Sequence, residues 1–411
     1  MNMSNNRQTV FEVLGRHPIH PFPARMAPGI ALNALTTGHK PLRVLDPMMG
    51  SGTVLAMARA NGHQAVGIDV DPLAVLLAKV WTTAADEREI IDAGQHVLSR
   101  AKSLIDQIST GTAYPQNANA ETRDFLRYWF DPNARQQLTA LAITIGRIRR
   151  QPIRDALWCA FSRLIITKSS GASLAMDLSH SRPHKAFDKA PTKPFDGFDS
   201  AVATIAKNCV SSTAPKRGPK TKTILGDARK LPSELGSFDL VLTSPPYLNA
   251  IDYIRCSKFS LVWMGYDVDE LRDTRATSVG SEASLEEASD SEVVKGIIEE
   301  LGLESKLSSR NLGILSRYIW DMRDALSEVS RVLRKGGEAI YVVGDSTVKG
   351  TFVRNSEIVR LVAELNKLQL TNRSSRNLPA NRRYLPPPKK ASLPAALDTR
   401  MRREVVLTFQ K

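Results

Sequence analysis

The sequence predicts an α/β fold, with a mostly parallel sheet covered by helices on both faces. Three observations carry this. Residues Arg43 to Trp81 read as strand, turn, helix, strand and helix in succession. Apolar strands return at "TILGDARKLP" (Thr223–Pro232) and "FDLVLTSPPY" (Phe238–Tyr247). From Leu315 onward a long helix, a strand, a second helix and a final strand alternate toward the end of the chain.

Each element has a local reason. "RVLD" (Arg43–Asp46) is a short strand and "PMMGSG" a glycine-containing turn. "TVLAMARANG" spaces its apolar residues helically and stops at Gly62. "AVGIDV" is a second strand ending in acid. In "DPLAVLLAKVW", Asp71 is the N-cap and Pro72 the first helical residue. Together these make a βαβ unit with an acidic residue at the end of its second strand.

From Ala85 to Thr221 the strand pattern disappears. The stretches Ala93–Ile108, Pro132–Ile148 and Pro152–Lys168 read as helices. Between Glu121 and Lys222 stand 18 Lys/Arg against 8 Asp/Glu, so this piece carries most of the basic excess. "SSTAPKRGPKTK" (Ser211–Lys222) is a basic loop. Tyr266–Arg310 has the opposite balance, 12 Asp/Glu against 5 Lys/Arg, and its core "ATSVGSEASLEEASDSE" reads as mobile. Then follow the long helix, with Gly336-Gly337 as its stop, the strand "EAIYVVGDS", the helix "SEIVRLVAELNKL", a basic Pro-rich loop (Arg373–Lys390) and "REVVLTFQ". The expected division is 1–84, the cofactor half; 85–221, a basic helical insert that reads the target; and 222–411, the catalytic half with a flexible acidic insert at 266–310.

A formal net charge of +14 favours polyanionic partners. Cys159, Cys209 and Cys256 are widely spaced without a Cys-x-x-Cys pair, which argues against a disulfide framework or a zinc site, and no metal is expected. No long uninterrupted apolar run suggests a membrane span. The first residues lack the apolar core of a signal peptide. A cytoplasmic protein is the expectation.

The turn "DPMMGSGT" leaves the carboxyl end of the first strand, where open α/β sheets bind ligands. Gly50 and Gly52 allow close approach to the backbone, and Asp69 is placed to accept from both hydroxyls of a ribose. The full dinucleotide fingerprint and the Gly-Lys-Ser/Thr of phosphate loops are missing. The expected ligand is therefore a nucleoside without a pyrophosphate, which fits S-adenosylmethionine better than NAD or ATP.

The pair "DPMMGSGT" and "TSPPY" resembles the amino-methyltransferases of DNA, the cytosine-N4 and adenine-N6 group. The resemblance covers about Arg16–Lys79 and Thr223–Lys411 and leaves out the helical insert. It implies a Rossmann-like class I methyltransferase with a seven-stranded, mostly parallel sheet and a helical insert between the second and third strands. It implies S-adenosylmethionine as cofactor, held at Asp46, Gly50, Ser51, Gly52, Thr53 and Asp69. "RHPIHPFPARMAP" (Arg16–Pro28) is similar to the segment that folds over the methionine part, which brings in Phe22. "GDAR" (Gly226–Arg229) resembles the strand end that reaches the adenine, which brings in Asp227.

The same resemblance assigns catalysis to Ser244, Pro245, Pro246 and Tyr247. An exocyclic amine on a base is a poor nucleophile because its lone pair is delocalised into the ring. Two acceptors aimed at its N–H bonds turn that lone pair toward the methyl group and offset the charge growing on nitrogen. The resemblance makes these acceptors the Ser244 hydroxyl and the Pro245 carbonyl. Two consecutive prolines stiffen the turn, and an exposed Tyr247 stacks on a flipped base. Serine in the first position resembles the cytosine-N4 members; adenine-N6 stays open. So do an RNA (tRNA) amino-methyltransferase and a non-catalytic nucleic-acid-binding protein on the same fold. Asn249, Asp252 and Tyr253 border the expected base pocket, with helix capping the competing role for Asp252. Cytosine-C5 chemistry is not expected, because the turn has no cysteine nucleophile; Cys256 lies nine residues past Tyr247.

Overall fold

The computed structural model describes residues 9–22, 26, 28–36, 40–179, 183–211, 219–248, 253–281, 288–289, 291–377 and 403–411. Along the chain run helices α1 (Val10–Leu14) and α2 (Pro28–Leu35), strand β1 (Arg43–Asp46), α3 (Thr53–Ala60), β2 (Gln64–Asp69) and α4 (Pro72–Thr82). The insert supplies α5 (Glu87–Leu104), α6 (Ala120–Trp129), α7 (Pro132–Gly146), α8 (Gln151–Ile165) and α9 (Pro194–Asn208). Then come β3 (Thr221–Leu225), β4 (Phe238–Thr243), α10 (Tyr253–Leu261), α11 (Val268–Thr277), α12 (Glu292–Glu300) and α13 (Ser309–Val332). The chain ends with β5 (Leu333–Gly344), α14 (Asn355–Leu365), β6 (Gln369–Asn377) and β7 (Arg403–Gln410).

The seven strands form one sheet in the order β6-β7-β5-β4-β1-β2-β3. β1 pairs with β4, β4 with β5 and β2 with β3 in parallel, while β7 runs antiparallel to both β5 and β6. The order reverses at β1, so the carboxyl ends of β1 and β4 mark the switch point where ligands bind in open sheets. This is the Rossmann-like methyltransferase arrangement, with the helical insert between β2 and β3.

The described chain divides into two compact units. One comprises Met1–His39, Met49–Leu225 and Asp252–Arg275; the other comprises Lys40–Met48, Gly226–Ile251 and Ala276–Lys411. In the first, α5, α7, α8 and α9 pack around one apolar core that includes Trp81, Phe130, Phe161 and Phe198, all nearly inaccessible. In the second, β5 is buried along most of its length and α13 buries Leu315, Tyr318, Ile319, Met322, Leu326 and Val329 along one stripe.

The structure departs from the sequence-based expectation in four places. The long helix does not stop at Gly336-Gly337: Leu333 is already extended and the glycines lie inside β5. Gly336 takes φ +74° and donates its N–H to the Lys411 carbonyl at 2.9 Å. The ladder between β4 and β5 shifts register in the same region, so the pair serves an irregularity of the strand. The acidic stretch 266–310 is not irregular throughout, since α11 and α12 lie within it; residues 282–287 and 290, at its centre, lie outside the described residues. Helices α6 and α9 were not anticipated. α6 buries only Thr122 and Leu126, which gives a weak stripe, but Asn119 caps it by accepting from the Thr122 N–H. Finally, β6 occupies the start of what reads as a basic loop. It is an edge strand with a polar sequence, and its Arg373 and Arg376 pair with Glu357 and Glu404 rather than standing ready for phosphate. The rest of that loop, from 378, is outside the described residues.

Candidate active site

In the first unit the glycine turn is held by the end of β2. Asp69 Oδ2 accepts from the Gly50 N–H at 2.8 Å and Oδ1 from the Asp71 N–H at 2.9 Å. Burial pushes the Asp69 carboxyl above its ordinary range, against the pull of these two bonds. Each carboxylate oxygen can accept twice, so capacity remains for a diol. Gly52 opens α3 in the left-handed region, φ +84°. A Cβ there would meet the Ala78 Cβ at 2.7 Å and its Cα at 2.9 Å, so α3 and α4 approach too closely for any side chain. Gly50 is also left-handed, and a Cβ on it would project to 3.7 Å from the Phe22 ring. Phe22 is buried and stacks on Tyr253, with centroids 5.9 Å apart and planes within 6°. The Thr53 hydroxyl is buried without a hydrogen-bond partner among the described residues; Ser51 beside it is half-buried. An unspent hydroxyl, a carboxylate with acceptor capacity and bare backbone beside an aromatic ring fit a nucleoside that carries a sulfonium arm, whose cation can lie against the ring.

Asp71 adds a second buried carboxyl two residues on. Its Oδ1 accepts from the Leu73 N–H at 2.9 Å, and the Ser257 hydroxyl of α10 donates to Oδ2. Burial, helped by the neighbouring charge of Asp69, pushes its pKa up to about 7, while the Ser257 bond opposes the rise.

In the second unit Asp46 is buried, accepting from the Thr243 hydroxyl at 2.7 Å and from the Met48 N–H at 3.2 Å. It ties the end of β1 to the end of β4, directly before Ser244. Asp227 receives the guanidinium of Arg229, with Nε at 3.1 Å from both carboxylate oxygens and Nη2 at 2.6 Å from Oδ2. Arg229 also bonds Asp321 on α13. Burial acts to lower the Arg229 pKa, but the two carboxylates outweigh it and raise it.

The Ser-Pro-Pro-Tyr turn follows β4. Ser244 Oγ donates to the Val342 carbonyl of β5 at 3.1 Å. The Tyr318 hydroxyl of α13 donates to the Pro246 carbonyl at 3.2 Å. Pro245 is buried and Pro246 half-buried. Tyr247 is half-buried rather than fully exposed as the sequence suggested. Its hydroxyl lies at the limit of hydrogen bonding, 3.4 Å from Ser244 Oγ and 3.5 Å from Glu404 of β7. Tyr318, Val342 and Glu404 were missed in the sequence because nothing local marks them: they lie 72, 98 and 157 residues from their partners. For Asp71 a signal existed, a second acid two residues after Asp69. Asn249 and Asp252 lie outside the described residues.

No protein-family model matches the chain. It is 23% identical over 356 residues to the type II methyltransferase M.MvaI of Kocuria varians, a match spanning 81% of this chain and 77% of that protein. It is 27% identical over 360 residues to the type II methyltransferase M.AvaI of a Nostoc species, spanning 74% of this chain and 68% of that protein. Both relatives are type II methyltransferases, which agrees with the resemblance of the two turns to the DNA amino-methyltransferases. Among solved structures the chain is similar to a TehB-like methyltransferase from Corynebacterium glutamicum, with 10% identity, a TM-score of 0.29 and coverage of 93% of this chain and 85% of that one. It is also similar to a methyltransferase from Methanosarcina mazei, with 8% identity, a TM-score of 0.32 and coverage of 91% and 94%. These distant likenesses carry no weight beside the strand order. Among the described residues no helix is long and apolar enough to cross a membrane.

Proposed function

We propose that this methyltransferase modifies DNA at a specific sequence and that its target atom is the exocyclic N4 of cytosine. The observation that carries the reading is the Ser244 hydroxyl. Its proton is spent on the Val342 carbonyl at 3.1 Å, so its lone pairs are what it has left to offer. Tyr318 occupies the Pro246 carbonyl, and the Pro245 carbonyl completes the pair of acceptors with Ser244. An amine held by both N–H bonds turns its remaining lone pair out of the base plane. The two oxygens also stabilise the positive charge that grows on nitrogen as it attacks.

The cofactor supplies a methyl group on a sulfonium. In this reading Asp69 binds its ribose, Thr53 and Ser51 its polar groups, and Phe22 its methionine part. The Gly50 and Gly52 backbone lies against it, and Asp227, fixed by Arg229, accepts from its adenine. Asp46 acts as a positioning residue, because its bonds run to Thr243 and Met48. Pro246 stiffens the turn, and Tyr247 stacks on the base. Serine ahead of the two prolines supports N4 of cytosine over N6 of adenine. The basic insert 85–221 reads the target. Within its Lys168–Lys185 segment, Ala172, Leu174, Ala175 and Leu178 are buried. A cytoplasmic setting goes with this reading and with three buried cysteines that form no disulfide among the described residues.

Tritium transfer from labelled S-adenosylmethionine to duplex DNA and to tRNA tests the substrate class. Methylation-sensitive sequencing of DNA from expressing cells tests the atom. Label in tRNA alone sinks the DNA assignment; N6-methyladenine in place of N4-methylcytosine sinks the base assignment and leaves the rest standing.

A further inference from the structure

The first unit carries an open cleft of about 510 Å³, lined by α6, α10 and α11 and by no residue of the glycine turn. Ligand sites of small molecules fall in this size range. One wall of α6 is aromatic: Phe125, Tyr128 and Trp129 line it, and Tyr128 is 56% exposed. Tyr128 meets Trp129 edge-on at 4.9 Å, and Phe125 meets Phe259 edge-on at 5.1 Å, so the aromatic wall is braced from behind.

Cations stand over these rings. The Lys258 ammonium lies 5.0 Å from the Phe125 centroid and that of Lys185 lies 5.5 Å from the Tyr128 centroid. Arg255, Arg272 and Arg275 also line the cleft, as do the carboxylates of Glu121 and Asp124. Both carboxylates are paired, Glu121 with Arg272 and Asp124 with Arg127. The lining as a whole is cationic.

The cleft is preformed. The Thr122 hydroxyl of α6 donates to Asp267 at 2.7 Å, and the Val268 N–H of α11 donates to Thr122 Oγ1 at 3.0 Å. The Asn119 N–H reaches Asp267 at 3.1 Å. These bonds fix α6 against α11 across about 145 residues of chain. An aromatic face of fixed geometry beside cations suits an unpaired base with its phosphates. Stacking on a ring tolerates any base, and the cations follow the backbone.

We propose that this cleft seats one nucleotide of the substrate strand, with its base on Tyr128 and its phosphate toward Lys258 and Arg255. The proposal rests on the reading of DNA as substrate and adds a second point of attachment, separate from the amine-holding turn. Its purpose is to hold the strand whatever the base.

The test is fluorescence anisotropy of a labelled duplex with the full chain over a range of salt, with S-adenosylmethionine calorimetry alongside. Tyr128→Ala is expected to weaken duplex binding about tenfold or more, Tyr128→Phe to keep it, and all to bind the cofactor as the parent does. Lys258→Ala is expected to reduce the slope of log affinity on log salt by about one. Parental affinity and slope in both alanine variants, with the parent still methylating duplex DNA, overturn the cleft and leave the substrate reading intact. If the parent transfers no methyl group to duplex DNA, that reading falls and the cleft with it. If a free deoxynucleoside monophosphate binds the parent as tightly as the duplex, and Tyr128→Ala loses both, the occupant is a small molecule and the strand proposal is overturned.

Discussion

The glycine turn after β1 and the proline turn after β4 are stiffened by opposite means. The first has little side-chain bulk and takes its shape from backbone N–H groups bound to a carboxylate: Asp69 holds Gly50 from 19 residues away. The second has two rings in its backbone, and distant side chains and carbonyls clamp what the rings leave free. Tyr318 reaches it across 72 residues and Val342 across 98. A turn that binds a nucleoside needs exposed backbone, hence glycine and an acid. A turn that aims acceptors at an amine needs fixed oxygens, hence proline and neutral donors to occupy the oxygens it does not use. The first turn therefore hangs on a buried carboxyl that titrates, and the second on the neutral Tyr318 hydroxyl and Val342 carbonyl.

That difference predicts where the pH dependence of stability lies. Asp71 has a pKa of about 7 in the fold against an ordinary 3.8. Between these values the folded state keeps its proton while the unfolded state has lost it. The folded state then binds more protons, so stability falls as pH rises from about 4 to about 7 and levels off above. The full effect is at most about 4 kcal/mol, and Asp69, shifted in the same direction, adds to it. Asp71→Asn removes one titrating group and keeps a capping side chain. Denaturant melts across this range are expected to show a shallower decline for the variant. An identical decline places the pH dependence elsewhere.

The proline turn is predicted to respond in rate instead. Ser244→Ala deletes one of the two proposed amine acceptors and is expected to lower kcat about a hundredfold, by analogy with the loss of one oxyanion-hole donor, with cofactor affinity unchanged. A variant that loses cofactor affinity and keeps kcat would reverse the division between the turns. The reciprocal change is Asp69→Ala. It is expected to weaken S-adenosylmethionine binding by about 1.5–3 kcal/mol, the range for a hydrogen bond to a charged group. Calorimetry showing parental affinity would end the assignment of Asp69 to the ribose.

The same difference governs what was legible in the sequence. The glycine turn was readable because its parts are close in the chain: β1, the glycines, Asp69 and the Asp71-Pro72 cap all lie within Arg43–Trp81. The Ser-Pro-Pro-Tyr turn was readable as a motif, but its clamps were not. Tyr318 sits on the buried stripe of α13, where a tyrosine looks like core, and Glu404 sits on a strand that reads only as apolar alternation. β6 was hidden because none of its residues is buried, so it needs no apolar alternation. α6 was hidden because its shape depends on Asn119 and on Asp267, far along the chain. Contacts over such separations leave no periodic trace.

Tyr318 makes the comparison sharpest, because its effect is the smallest and the most specific. Its ring is wholly buried, and burial raises the pKa of its hydroxyl well above the usual value, so it stays a neutral donor across the working range. Tyr318→Phe keeps the packing of α13 and deletes only the hydrogen bond to the Pro246 carbonyl. That leaves the carbonyl without this partner and costs about 0.5–1.5 kcal/mol in the rigidity of the turn. The expected outcome is a fall in kcat of a few fold, parental affinity for S-adenosylmethionine and little change in melting temperature. Tyr318→Ala, by contrast, opens a cavity and is expected to lower stability by several kcal/mol. If Tyr318→Phe matches the parent in kcat, the two prolines fix the turn without help, and the long-range clamp that sets the second region apart from the first is not needed for turnover.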